Sequence, residues 1–131
     1  MRMLLDTHAF IWFAEADDRL SQAATDLLSD PENSLYLSCA STWEIAIKTG
    51  MGKLLLSAPL GNFLARAFAE YSILAMPVLL EDCILYEGLS FPQSDHKDPF
   101  DRMIISQAIR NDLVIISADE AFDAYPVRRM W

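Results

Sequence analysis

Two short apolar runs, Met3-Leu4-Leu5 near the start and Leu113-Val114-Ile115-Ile116 near the end, each lead to an acid, Asp6 and Asp119, with a helical stretch beyond. Apolar runs of this length fit strands buried on both faces, and buried strands interleaved with helices imply a mainly parallel sheet. In such a sheet ligands bind beyond the carboxyl ends of the strands, so acids at those ends converge in space. The separation of Asp6 and Asp119 along the chain is then no objection to a shared site.

The rest of the chain continues the alternation. Residues 2–5 read as a strand, 7–15 as a helix, 21–29 as a second helix ending before Pro31, and 35–38 as a second strand. Ser41-Thr42-Trp43-Glu44 has the form of a capping box opening a helix to about Thr49, stopped by Gly50 and Gly52. Residues 59–71 read as helix, 73–76 as a strand closed by Pro77, 80–89 as helix, and 91–97 as a polar, irregular loop. Asp98-Pro99 is a strong helix start, and Ile104, Ile105, Ala108 and Ile109 supply an apolar stripe at helical spacing. Asn111-Asp112 turns into the strand 113–116, a short helix follows at 120–124, and 127–130 fits an edge strand. The expected architecture is a single α/β domain over residues 1–131, its sheet sandwiched between helices.

With 53% hydrophobic residues, no low-complexity stretch and no repeat, the chain reads as one ordered globule. Its apolar runs are far shorter than the roughly 20 residues of a membrane span, and no signal-peptide pattern opens it. Cys39 and Cys83 lack zinc-ligand spacing and form no disulfide framework, which points to a reducing cytoplasm. A formal charge of −9 argues against a nucleic-acid partner, since phosphate affinity comes from Lys and Arg. Divalent ions bound at clustered acids would reverse that sign where a phosphate sits.

Four acids, Asp6, Glu44, Asp101 and Asp119, fall at the ends or starts of these elements and point to one rim. Each also has a plain structural explanation. Asp6 and Asp119 could cap the helices after them, Glu44 could complete its capping box or pair with Lys48, and Asp101 could favour a helix dipole. Their conjunction favours a metal site: Mg²⁺ takes hard oxygen ligands, and without a cation the acids would repel one another. A divalent ion lowers the pKa of bound water and stabilises a leaving oxygen, so no Ser, Cys or His nucleophile is needed. His8 and His96 read as packing or loop residues, Asp98 as the cap before Pro99, and Trp43 and Phe100 as packing residues. Arg102, Lys48 and Lys97 read as solvated ion pairs or phosphate contacts.

Leu4-Leu5-Asp6-Thr7-His8, Ser41 to Lys48, His96-Lys97-Asp98-Pro99-Phe100-Asp101-Arg102 and Ile116-Ser117-Ala118-Asp119 together resemble the PIN-domain family, specifically its VapC-type toxins of bacterial toxin–antitoxin pairs. The resemblance spans essentially the whole chain, and the third segment is its most specific part. It implies a three-layer α/β/α fold and an endoribonuclease in which Asp6, Glu44, Asp101 and Asp119 bind Mg²⁺ or Mn²⁺ and cut RNA. It also implies a homodimer and a cognate antitoxin whose tail crosses the site. Ser117-Ala118 stands where the family often carries Thr-Asn, which leaves Asp119 the least secure of the four. The competing expectations are a non-catalytic RNA- or protein-binding module and a metal-dependent phosphatase, though no Asp-x-Asp follows the first strand.

Overall fold

Successive residues of the central strands face opposite layers, and both layers are apolar. Met3 and Leu5 of β1 (Arg2–Leu5) pack with Leu35 and Leu37 of β2 (Ser34–Ser38) and with Val114 and Ile116 of β4 (Val114–Ile116) on one face. Leu4 and Ile115 point into a second cluster on the other face. The computed structural model describes residues 1–93 and 95–131.

The first face is covered by α1 (Thr7–Ala14), α2 (Gln22–Ser29) and α4 (Leu60–Tyr71), which contribute Phe10 and Phe13, Leu28, and Phe63 and Ala67. The second is covered by α6 (Pro99–Asn111), through Ile104, Ile105 and Ala108, and by Phe122 of a 3-10 helix (Glu120–Ala124) with Tyr125 beyond it. Between the layers lie five parallel strands in the order β3-β2-β1-β4-β5, where β3 is Ile73–Met76 and β5 is Arg128–Met130. This is the expected three-layer sandwich, with its sheet parallel throughout. Among the described residues no helix is long and apolar enough to cross a membrane.

Chain order runs outward from β1 to β2 and β3, then jumps back to β4 on the other side of β1 and on to β5. The carboxyl ends of β1 and β4 therefore flank the point where strand order reverses, which is where a crevice opens in sheets of this kind.

Most element boundaries fall within two residues of the sequence reading; one differs with consequences for the site. The third helix, α3 (Cys39–Gly50), begins two residues before Ser41, with Ser38 as its cap accepting from the Ala40 N–H at 3.0 Å. The capping box expected at Ser41 and Glu44 is not formed: both are buried inside the helix, and the Ser41 hydroxyl has no partner among the described residues. Continuity of β2 into α3 without a loop lets the strand's last residue serve as the cap. The fifth helix, α5 (Leu80–Glu87), stops short of Leu89, and the irregular stretch 91–97 is as expected where described, with Ser94 outside the described residues. Helix α6 starts as Asp98-Pro99 predicts and ends on Asp112 in the left-handed region (φ 52°), a conformation that Asp tolerates better than most residues.

Candidate active site

The pairing of β1 with β4 places Leu5 opposite Ile116, so the residues that leave the two strands, Asp6 and Ser117, emerge side by side. Asp6 is the cap of α1: one carboxylate oxygen accepts from the Ala9 N–H at 2.7 Å, and the other accepts a short hydrogen bond from the Ser117 hydroxyl. The Ser117 oxygen in turn accepts from the Asp119 N–H at 3.0 Å. Ser117 thus ties the first acid to the backbone of the last. Asp6 is 7% exposed; burial drives its pKa above the ordinary carboxylate value, and the charge of Asp119 adds to that rise.

Asp101 arrives on the first turn of α6. Capping there falls to Asp98, whose carboxylate accepts from Phe100 N–H at 2.8 Å and Asp101 N–H at 3.1 Å. The Asp101 side chain is thereby released from capping and turned toward the rim. Burial, reinforced by the charges of Asp98 and Asp6, pushes its pKa up to about 6, against the opposing pull of a hydrogen bond to His96. Asp119 is exposed and caps the 3-10 helix through the Ala121 N–H at 2.9 Å. One ligand atom from each of His96, Asp101 and Asp119 lies within 4.8 Å of the others.

Glu44 reaches the same rim by another route. It is 6% exposed on the second turn of α3, where the Thr7 hydroxyl donates to Oε1 at 2.6 Å and Lys48 Nζ to Oε2 at 2.7 Å. Thr7 follows Asp6, so Glu44 of α3 is tied to the residue after the first acid. Asp6 and Glu44 are both outside the close group of donor atoms, and the i,i+4 pair of Glu44 with Lys48 anticipated from sequence is present.

Two side chains read as peripheral are central. His96 has 11% of its side chain exposed, with Nε2 3.2 Å from Asp101 Oδ2 and Nδ1 3.0 Å from the Tyr125 hydroxyl. Arg102 is neither solvated nor free for phosphate: at 2% exposure it donates to the carbonyls of Leu89 and Ser90 and to the Tyr125 hydroxyl, and stacks 3.8 Å from the Phe91 ring centroid. A charge can be buried there because carbonyl oxygens and an aromatic face replace its water. His8 is exposed, its ring centroid 5.7 Å from that of Trp12. Thr7 and Tyr125 were not singled out from sequence, and Ser117 was noted only as a departure from the family pattern. Thr7 carried a signal in following an acid at a strand end, and Ser117 in following a strand two residues before one, but Tyr125 carried none.

The donor set suits a divalent cation. Asp6 and Asp101 both hold protons more tightly than free carboxylates because they are buried near other negative charge, and a bound cation would relieve that cost. Carboxylate oxygens are the hard ligands Mg²⁺ and Mn²⁺ prefer.

A parallel α/β sandwich with acids gathered at its switch point defines a class of proteins with a carboxylate site at the sheet's edge. The chain belongs to the PIN-domain family, whose model matches residues 3–127. It is 26% identical over 117 residues to Ribonuclease VapC22 of Mycobacterium tuberculosis, covering 89% of this chain and 86% of that one. Its fold resembles a chain of the Rickettsia felis VapBC2 crystal structure bound to a promoter DNA fragment, with TM-score 0.72, 15% identity and coverage of 99% and 98%. VapBC-1 from nontypeable Haemophilus influenzae is similar too, with TM-score 0.66, 18% identity and coverage of 99% and 97%.

Proposed function

We propose that the protein is a metal-dependent endoribonuclease, the toxin of a toxin–antitoxin pair acting in the cytoplasm. The observation that carries the reading is the close grouping of Asp101 and Asp119 with His96, beside Asp6, which Ser117 ties to the Asp119 backbone, with Asp6 and Asp101 both made costly to ionise. Similarity to a relative named as a ribonuclease, and to chains from VapBC structures, supports the reaction class and an antitoxin partner.

In this mechanism Asp6, Asp101 and Asp119 would hold Mg²⁺ or Mn²⁺, with Glu44 binding a second ion or positioning the attacking water. The cation supplies activation of water and charge stabilisation at the phosphodiester. Asp6 is pre-oriented by the Ala9 amide and Ser117, so binding requires no rotamer search from it. Lys48 and Thr7 fix the position of the Glu44 carboxylate beside the site. A homodimer fits the exposed apolar side chains that α3 and α5 present, Trp43 and Ile47 on α3 and Leu80 and Ile84 on α5, of which Trp43 is 64% and Ile84 65% exposed.

Asp6→Asn keeps the shape and the Ala9 cap, and is expected to abolish Mg²⁺-dependent cleavage of RNA while circular dichroism remains unchanged. Cleavage undiminished in that variant, or unaffected by EDTA in the parent protein, would overturn the assignment.

A further inference from the structure

Arg102, Tyr125, His96 and Asp101 form a chain of hydrogen bonds whose direction is set at one end. A guanidinium only donates, so the Tyr125 oxygen, 3.1 Å from Arg102 Nη1, is an acceptor there. The phenol's own proton then needs an acceptor, and His96 Nδ1 lies 3.0 Å away. A neutral imidazole that accepts at Nδ1 carries its proton on Nε2, where Asp101 Oδ2 waits at 3.2 Å. Each proton shared along the chain has an acceptor in this arrangement, while Arg102 Nε, outside the relay, has no partner among the described residues. The opposite tautomer strands the phenol proton, without another acceptor among the described residues, and sets a bare nitrogen lone pair against a carboxylate oxygen.

We infer that His96 is a positioning residue of the metal site: the Tyr125 hydroxyl fixes it as the Nε2–H tautomer, and it pins Asp101 by one oxygen, leaving the other for the cation. This rests on the metal-site reading above. Among the described residues Asp101 Oδ1 receives no hydrogen bond, while Oδ2 is engaged by His96. The imidazole also makes edge-type contacts with two aromatic rings, their centroids 6.3 Å away at Phe122 and 5.6 Å away at Tyr125. The relay also joins two separate segments of the rim. Arg102 holds the carbonyls of Leu89 and Ser90 before α6, whereas Tyr125 closes the 3-10 helix that Asp119 caps. Asp101 and Asp119 are thus located relative to each other through His96 rather than by the sheet alone. Hydrogen bonds of this kind, made to a ligand rather than to the ion, orient the ligand and change metal affinity tenfold or more.

Long-range ¹H–¹⁵N spectra of histidine-labelled protein at pH 8 are expected to show His96 as the Nε2–H tautomer, with and without Mg²⁺. Tyr125→Phe should convert it to a tautomer mixture and weaken Mn²⁺ binding, measured by calorimetry, about tenfold. His96→Leu should weaken Mn²⁺ to a similar degree, and His96→Gln, whose amide N–H reaches the Nε2 position, should restore most of the loss. A His96 found as Nδ1–H in the metal-bound protein, with Gln no better than Leu, would make the residue a direct ligand and overturn the inference. Mn²⁺ binding unchanged in His96→Leu while Asp6→Asn loses it would sink the inference and spare the metal site. Binding unchanged in both variants would remove the metal-site reading itself, and the inference with it.

Discussion

Asp101→Asn should make the metal-free protein more stable while destroying its activity. Burial raises the Asp101 pKa from 3.8 to about 6, so the folded chain binds this proton more tightly than the unfolded one. The carboxyl therefore exerts no penalty below about pH 4, and its penalty grows as pH rises until the group is ionised in both states, above about pH 7. At about 1.4 kcal/mol per pKa unit the full penalty is on the order of 3 kcal/mol, an upper figure because 26% of the side chain remains exposed. Asn is neutral and can still accept from His96, so it removes the charge and keeps the contact. For a domain of this size the gain corresponds to a melting temperature higher by about 5 to 10 °C. Thermal denaturation followed by circular dichroism at pH 8 in EDTA reads this directly, and the gap should close toward pH 4. Mg²⁺ should raise the melting temperature of the parent protein but not of the variant. An Asn variant that melts at or below the parent at pH 8 without metal would refute the claim that Asp101 is a buried charge awaiting a cation.

Arg102→Met removes the donors that satisfy the Leu89 and Ser90 carbonyls, and should cost about 3 kcal/mol in urea denaturation; a midpoint equal to the parent's would show that the clamp is idle. Saturating Mn²⁺, at about one hundred times its dissociation constant, should stabilise the protein by about 2.7 kcal/mol; thermal scans that superimpose with and without it would mean the acids share no cation. Ile84→Glu places a charge among the exposed apolar side chains of α3 and α5 and should convert a dimer to monomer in sedimentation velocity; a monomeric parent protein would dispose of the dimer.

Local chemistry was legible along the chain. Asp98-Pro99 announced the start of α6, and by taking the cap it freed Asp101 for other work. Short apolar runs announced β1 and β4, because a strand covered on both faces has little use for polar alternation. Asp6 and Asp119 proved to be helix caps as well as rim residues, so at both positions capping leaves the proposed functional role open rather than replacing it. At α3 the local signal misled. Ser41 and Glu44 match a capping box, yet Ser38 captures the helix start because β2 runs directly into it, and burial then turns Glu44 toward Thr7 and Lys48.

Sequence spacing could say which acids end strands or begin helices, since that depends on neighbours only a few residues away. It could not say that Tyr125 would meet His96, 29 residues distant, or that Ser117 would bond Asp6 across 111 residues. Those contacts follow from strand order and register, with β4 inserted beside β1, and from the closing of the loop before α6 around Arg102. Burial is likewise a property of the assembled layers. The same aspartate that would be an ordinary acid on an open chain becomes, between packed helices and beside other carboxylates, a group whose ionisation the fold resists.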